Sequence, residues 1–246
     1  MRLGVALGLG KGDVASAARN IEAHGFDSAW VLDAHNRGQF LLQDPFACLA
    51  VAASHTTRIE LGSCIVQVPL RAPYDLAERA LTVQHMSGGR FLFGVGSGST
   101  AADFAAYGVD FASRFRLLDE HLATMNRLWN GEVVDGAQLW PWPGCEGGPP
   151  VLVGAFRGRW VQRAATDFAG WIGSARSTDV ATLKEGLARF RDLGGQRAVA
   201  ANLDASRPDA ADVLHALADA GFDDANVIVA DHGDDELARV RALYRA

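Results

Sequence analysis

Neither sign of charge dominates this 246-residue chain: 29 Asp and Glu stand against 23 Lys and Arg, a formal net charge of -6. No basic run stands out, so the electrostatic footprint of a nucleic-acid binder is missing. Cysteine is scarce. Cys48, Cys64 and Cys145 have neither metal-ligand spacing nor the even count of a disulfide framework, which suits a reducing cytosol. Long apolar runs are absent at the N-terminus, where MRLGVALGLGKGDV is too short and glycine-rich for a signal peptide or a membrane span. The expectation is a soluble cytoplasmic protein with no membrane and no nucleic acid among its partners. No Ser-His-Asp order and no metal-ligand cluster stands out, so a cofactor would supply the hard chemistry. What the chain does have is 49% hydrophobic residues, enough at this length for one sizeable core.

Helical and strand patterns alternate along it. Leu3 to Leu9 reads as a buried strand, Val14 to His24 as a helix stopped by Gly25, and Ser28 to Leu32 as a second strand. Asp44-Pro45 opens a helix through Ala53, with Asp as cap and Pro at the first helical position. A third strand (Ile59 to about Val66), a helix (Pro73 to His85) and a fourth strand (Arg90 to Val95) follow. Phe104 to Trp129 carries a helical stripe. Gly131 to Pro150 is rich in Pro, Trp and Gly and reads as a long loop with a small hairpin, suited to a lid or the wall of a site. Alternation then resumes from Val151 to Tyr244.

The count is eight strands and eight helices, which predicts an α/β fold: a single closed parallel (β/α)8 barrel over residues 1–246, with the Pro/Trp/Gly-rich insertion before strand five. An open doubly wound sheet would want GxGxxG after the first strand, and Gly8-Leu9-Gly10-Lys11-Gly12 misses that spacing. Gly25-Phe26-Asp27 and Gly221-Phe222-Asp223 each occupy a helix-to-strand turn, on the barrel face assigned to stability.

Sites in such a barrel form at the C-terminal strand ends. Asp33 and His35 end the second strand, and His35 is the best acid/base candidate of seven histidines. His232 after the last strand is a weaker one. Ser63, Cys64 and Ile65 end the third strand, where residue type alone favours core packing. Gly96, Ser97 and Gly98 follow the fourth, either an anion cradle or a plain turn. Gly154, Ala155, Arg157, Gly158 and Arg159 follow the fifth and open a helix. Free N–H groups and two arginines there suit a phosphate, against a bland reading of two solvated side chains.

Three segments together resemble the luciferase-like monooxygenase superfamily, whose members bind FMN or the deazaflavin F420. They are GFDSAWVLDAH, LGSCIVQVPLRAPYDLAERALTVQHMSGGRFLFGVGSG and PPVLVGAFRGRWVQRAATDFAGWI, which span most of the chain up to Ser174. The resemblance implies a TIM barrel and a flavin- or deazaflavin-dependent oxidoreductase acting on a small organic substrate. It implies a non-prolyl cis peptide behind the cofactor ring, at Cys64-Ile65 or Ser63-Cys64. It places the phosphate by the loops after strands four and five, His35 at the redox ring, and a homodimer through barrel helices. The chain also departs from the pattern. Ser99 stands where some F420-using relatives have Glu, and Ala169-Gly170-Trp171 replaces Asp-Gly-Trp. The brief segment Asp204 to Arg207 would leave the mouth more open, or leave its closure to Trp140 and Trp142. Two other readings stay open: a non-catalytic cofactor-binding member or partner subunit, and another phosphate-binding barrel such as an isomerase or lyase.

Overall fold

Aspartates write several of the helix starts. The Asp13 carboxylate accepts from the N–H groups of Ala15 and Ser16 at the head of α1 (Val14–Ala23). Asp44 accepts from Ala47 at α2 (Pro45–His55), and Asp179 from Thr182 at α7 (Val180–Asp192). Each satisfies donors that the first turn leaves open. The structure, a computed structural model, describes residues 1–9, 12–34, 42–155 and 158–244.

Among the described residues, eight strands close into one parallel ring. In ring order they are β1 (Arg2–Leu7), β2 (Ser28–Val31), β3 (Glu60–Ser63), β5 (Phe91–Gly96), β8 (Val151–Gly154), β9 (Gly170–Ser174), β10 (Arg197–Asp204) and β11 (Asp224–Ile228). Pairing of β3 with β5 and of β11 with β1 completes the ring. A two-residue strand, β4 (Val66–Gln67), resumes the pairing with β5 beyond the end of β3. The predicted closed (β/α)8 barrel is therefore the fold. The remaining helices are α3 (Pro73–Met86), α4 (Ala101–Ala106), α5 (Arg114–Trp129), α6 (Arg159–Thr166), α8 (Ala210–Ala220) and α9 (Asp234–Leu243).

Trp30 fills the middle of the ring, fully buried with Cys64, Leu92, Leu152, Ile172 and Val199 around it. It needs glycine on both flanks. A Cβ at Gly4 would lie 2.7 Å from its Nε1, and one at Gly62 2.2 Å from its ring. Its Nε1 donates to Ser28 Oγ at 2.7 Å, so no buried donor is wasted.

Phe104 to Trp129 is mainly helical, as its stripe predicts, but is interrupted once. The chain turns at Gly108 (φ +66°), and a short 3₁₀ turn at Phe111–Ser113 follows, its N–H at Ala112 held by the Asp110 carboxylate. The insertion before β8 does contain a small hairpin, β6 (Val133–Val134) with β7 (Ala137–Gln138). Its Trp142 does not reach the mouth, however. Trp142 stacks on His85, ring centroids 5.0 Å apart, in the last turn of α3. That end is the one away from the C-terminal strand ends, because α3 runs back against the strands. Trp140 stands 78% exposed. The insertion, read as a lid or a wall, thus runs along α3, tied near that helix's start by the Tyr74 hydroxyl donating to the Gln138 carbonyl and near its end by Trp142 on His85.

Candidate active site

The mouth of the barrel is organised by one buried ion pair. Asp33, just past β2, accepts from Arg71 through both carboxylate oxygens, at 2.6 and 2.9 Å. Its Oδ2 also accepts from the backbone N–H of Gln67 at 2.9 Å. Gln67 Nε2 donates to the Asp33 carbonyl and to Asp103 of α4. Asp33, Gln67 and Asp103 are all buried. Burial works against the Arg71 charge, but the Asp33 carboxylate outweighs it and holds the guanidinium above its ordinary value. The end of β2, the irregular stretch after β3 and the first turn of α4 are thereby tied into one rigid rim.

That irregular stretch is the predicted one. Ser63 Oγ donates to the Gly94 carbonyl at 2.8 Å, and the peptide bond Cys64–Ile65 is cis. Register shows the extra residue: Gly62 pairs with Leu92, but Val66 pairs with Val95. The chain thus bulges where β3 gives way to β4. Cys64 is fully buried. Its thiol donates to Asn202 Oδ1 at 3.3 Å, Asn226 Nδ2 donates to its sulfur at 3.6 Å, and Asn202 Nδ2 donates to its carbonyl at 3.4 Å. Burial pushes the thiol up to about 12, with the two amides pulling the other way. It stays a neutral thiol at any ordinary pH.

Ile65 turns out of this bulge across the strand ends. A Cβ at Gly96 would lie 2.7 Å from its Cδ1, and one at Gly154 2.8 Å from its Cγ2. The room that the glycines at the ends of β5 and β8 create is therefore taken by Ile65. Gly98 (φ +76°) is hemmed in by Gln67 and Phe104, and Ser97 Oγ donates to the adjacent Gly98 carbonyl at 3.4 Å.

Past β8, the Ala155 carbonyl accepts from Trp171 Nε1 at 2.8 Å. Gly158 (φ +73°) is the N-cap of α6 and supplies no side-chain acceptor to its first turn. In the same turn Trp160 is buried, and its Nε1 has no hydrogen-bond partner among the described residues. Arg159 does not wait for an anion. With Arg163 it binds Asp119 of α5. His35 and Arg157 lie outside the described residues. His232 bonds the Ala6 carbonyl through Nε2 at 2.8 Å, a structural role.

Sequence reading missed Gln67, Arg71 and Asn226. Arg71 sits beside Pro69, Leu70 and Pro73 in a stretch that reads as loop, and only the fold shows that its guanidinium is drawn inward. Among the described residues no group of His, Cys, Asp and Glu could hold a metal, and no helix is long and apolar enough to cross a membrane.

Comparison with known proteins bears on this geometry. The 4-hydroxyprotoasukamycin monooxygenase of Streptomyces nodosus subsp. asukaensis is 36% identical over 112 residues, 46% of this chain and 30% of that protein. The F420-dependent glucose-6-phosphate dehydrogenase 1 of Rhodococcus jostii is 34% identical over 155 residues, 54% of this chain and 44% of that one. The match thus spans under half the length of either relative. Among solved structures, the monooxygenase RslO1 from Streptomyces bottropensis superposes with a TM-score of 0.80 at 18% identity, covering 99% of this chain and 97% of that one. Residues 5–243 match the family model of luciferase-like monooxygenases, and the chain belongs to that family.

Proposed function

We propose that this chain, taken as one domain over residues 1–246, is an oxidoreductase that binds FMN or coenzyme F420. The ring lies against Cys64 and Ile65, and the phosphate lies at the head of α6. The observation that carries the reading is the bulge between β3 and β4. Two independent polar clusters, Asp33 with Arg71 and Gln67, and Asn202 with Asn226, hold that stretch rigid at the mouth. A stretch so braced, ending in the apolar Ile65, suits a planar ring that must not move during transfer. The head of α6 fits an anion, with a glycine cap, no side-chain acceptor from that cap, and in the same turn a Trp160 Nε1 unpartnered among the described residues. Of the two arginines expected there, Arg159 is engaged by Asp119 and reaches a phosphate only by exchanging partners.

The bound cofactor would supply hydride transfer to or from a small organic substrate, or activation of O2 on reduced FMN. The protein's part is to hold the ring, exclude water from one face and place a proton donor. His35 is the proposed acid or base, and the Cys64 thiol, held neutral, stays out of the chemistry. The relatives' names cover both a monooxygenase and an F420-dependent dehydrogenase, so FMN and F420 are tested side by side. Fluorescence titration with each should show micromolar binding of one. Binding of neither would remove the proposal. His35→Ala should slow turnover more than it weakens binding.

A homodimer and a cytoplasmic setting complete the proposal. The outer face of α2 presents Ala47, Val51 and Ser54, exposed yet uncharged, and an apolar helix face of this kind suits a second copy. All three cysteines are free and buried, which suits a reducing compartment. Analytical ultracentrifugation of wild type and Val51→Arg should show a dimer that the substitution splits.

A further inference from the structure

Two strands of the ring depart from regular pairing, and they stand opposite one another. In ring order β10 lies four places from β3 whichever way one counts. β3 carries the bulge described above. β10 carries another: Ala200 pairs with Ala225 and Leu203 with Val227, so Ala201 and Asn202 together face Asn226. Asn202 takes φ +65° there, a left-handed conformation that Asn tolerates better than most side chains. Its backbone N–H is held by Asn226 Oδ1 at 2.9 Å. Its side chain then crosses the barrel. Oδ1 accepts from the Cys64 thiol and Nδ2 donates to the Cys64 carbonyl. One amide therefore ties both the thiol and the carbonyl of Cys64, and joins the two irregular strands across the full width of the mouth. Ordinary strand pairing at either place would need no such tie.

We propose that Asn202, acting through Cys64, is a positioning residue for cofactor binding: it fixes the end of the third strand against which the ring lies. The inference rests on the cofactor reading above and adds to it a residue contributed from the opposite wall. Because the thiol stays protonated, it remains a donor to Asn202 through the pH range in which the protein is handled.

The test uses Asn202→Gly, which keeps the left-handed backbone and removes only the amide. Cys64→Ala removes the thiol half of the tie, keeps the carbonyl that Asn202 Nδ2 reaches, and leaves Asn202 in place in β10. FMN and F420 are each titrated against wild type and both variants, following affinity and the absorption and fluorescence of the bound ring. Urea unfolding of wild type and both variants is followed without cofactor. The expected result is affinity weakened about tenfold in Asn202→Gly, about 1.4 kcal/mol, and by a smaller but measurable factor in Cys64→Ala, which keeps the carbonyl half of the tie. A shifted spectrum of whichever cofactor binds should accompany it. A purely structural role would lower resistance to urea without moving the spectrum of the bound ring. Wild-type affinity and spectrum in a folded Asn202→Gly would overturn the proposal alone. Should that variant not fold, the same outcome in Cys64→Ala would overturn it. Wild-type protein that binds neither FMN nor F420 would overturn the cofactor reading and this proposal with it.

Discussion

The two ends of the barrel use polar side chains in opposite ways. At the N-terminal end they satisfy regular structure. Arg197 lies between Glu60 and Asp224, donating to both carboxylates, and Arg2 bonds the same two acids. Asp27 and Asp223 repeat one device. Each accepts from the backbone N–H of the strand beside it, Leu3 or Ala198, and returns its own N–H to the same residue's carbonyl. Glu22 collects the N–H groups of Thr57, Arg58 and Ile59, and Arg90 reaches the carbonyls of Ile59 and Thr56. At the C-terminal end the buried groups hold irregular backbone instead: a bulge after β3, another in β10, and the rim between Asp33 and Asp103. Satisfying turns stabilises a ring, whereas bracing distortions shapes a site.

Substitutions can separate the two roles. The largest expected loss is at the closed end. Asp224→Ala removes a fully buried acid and leaves two guanidiniums to share Glu60, at a cost of about 3–5 kcal/mol. Urea unfolding should show it, while cofactor affinity of the folded fraction stays at the wild-type value. Glu22→Gln should cost less, about 1–3 kcal/mol. Burial opposes the Glu22 charge, but the N–H groups of Arg58, Ile59 and Thr57 outweigh it and hold the carboxyl below its ordinary value. Its contribution is therefore present above the usual glutamate range and lost as pH falls through the lower folded value. The stability gap between wild type and Glu22→Gln should close on acidification.

At the open end, Gly154→Ala would press a Cβ onto Ile65, an overpacking cost of about 1–3 kcal/mol. Unlike Glu22→Gln, it should weaken cofactor binding as well, because Ile65 must move. The smallest effect is expected on the outer wall. Trp142→Ala loses one stacked aromatic contact with His85, about 0.5–1.5 kcal/mol, and should leave cofactor binding and turnover unchanged. A fall in turnover would restore a lid role to the insertion.

The ring was legible in the chain because each of its devices is local. Alternating periods mark the strands and helices, Asp13, Asp44 and Asp179 mark helix starts, and the two Gly-Phe-Asp turns announce the closed end. The end of β3 was legible only through resemblance, since Ser63-Cys64-Ile65 by residue type is ordinary core. Arg71 and Asn202 were not legible as braces. Their partners lie 38 and 138 positions away, and nothing near either residue signals the contact. The glycines at the ends of β5 and β8 read as part of an anion site, because a sequence shows small residues without showing that Ile65 packs over them.

Hydrogen exchange with and without saturating FMN or F420 compares the two ends in one experiment. Amides of residues 63–71, 96–100 and 158–161 should exchange more slowly in the complex, and those around Asp27, Glu60 and Asp223 should not change. Slowing confined to the closed end or to the insertion at residues 131–150 would place the cofactor elsewhere and contradict a ring seated on Cys64 and Ile65.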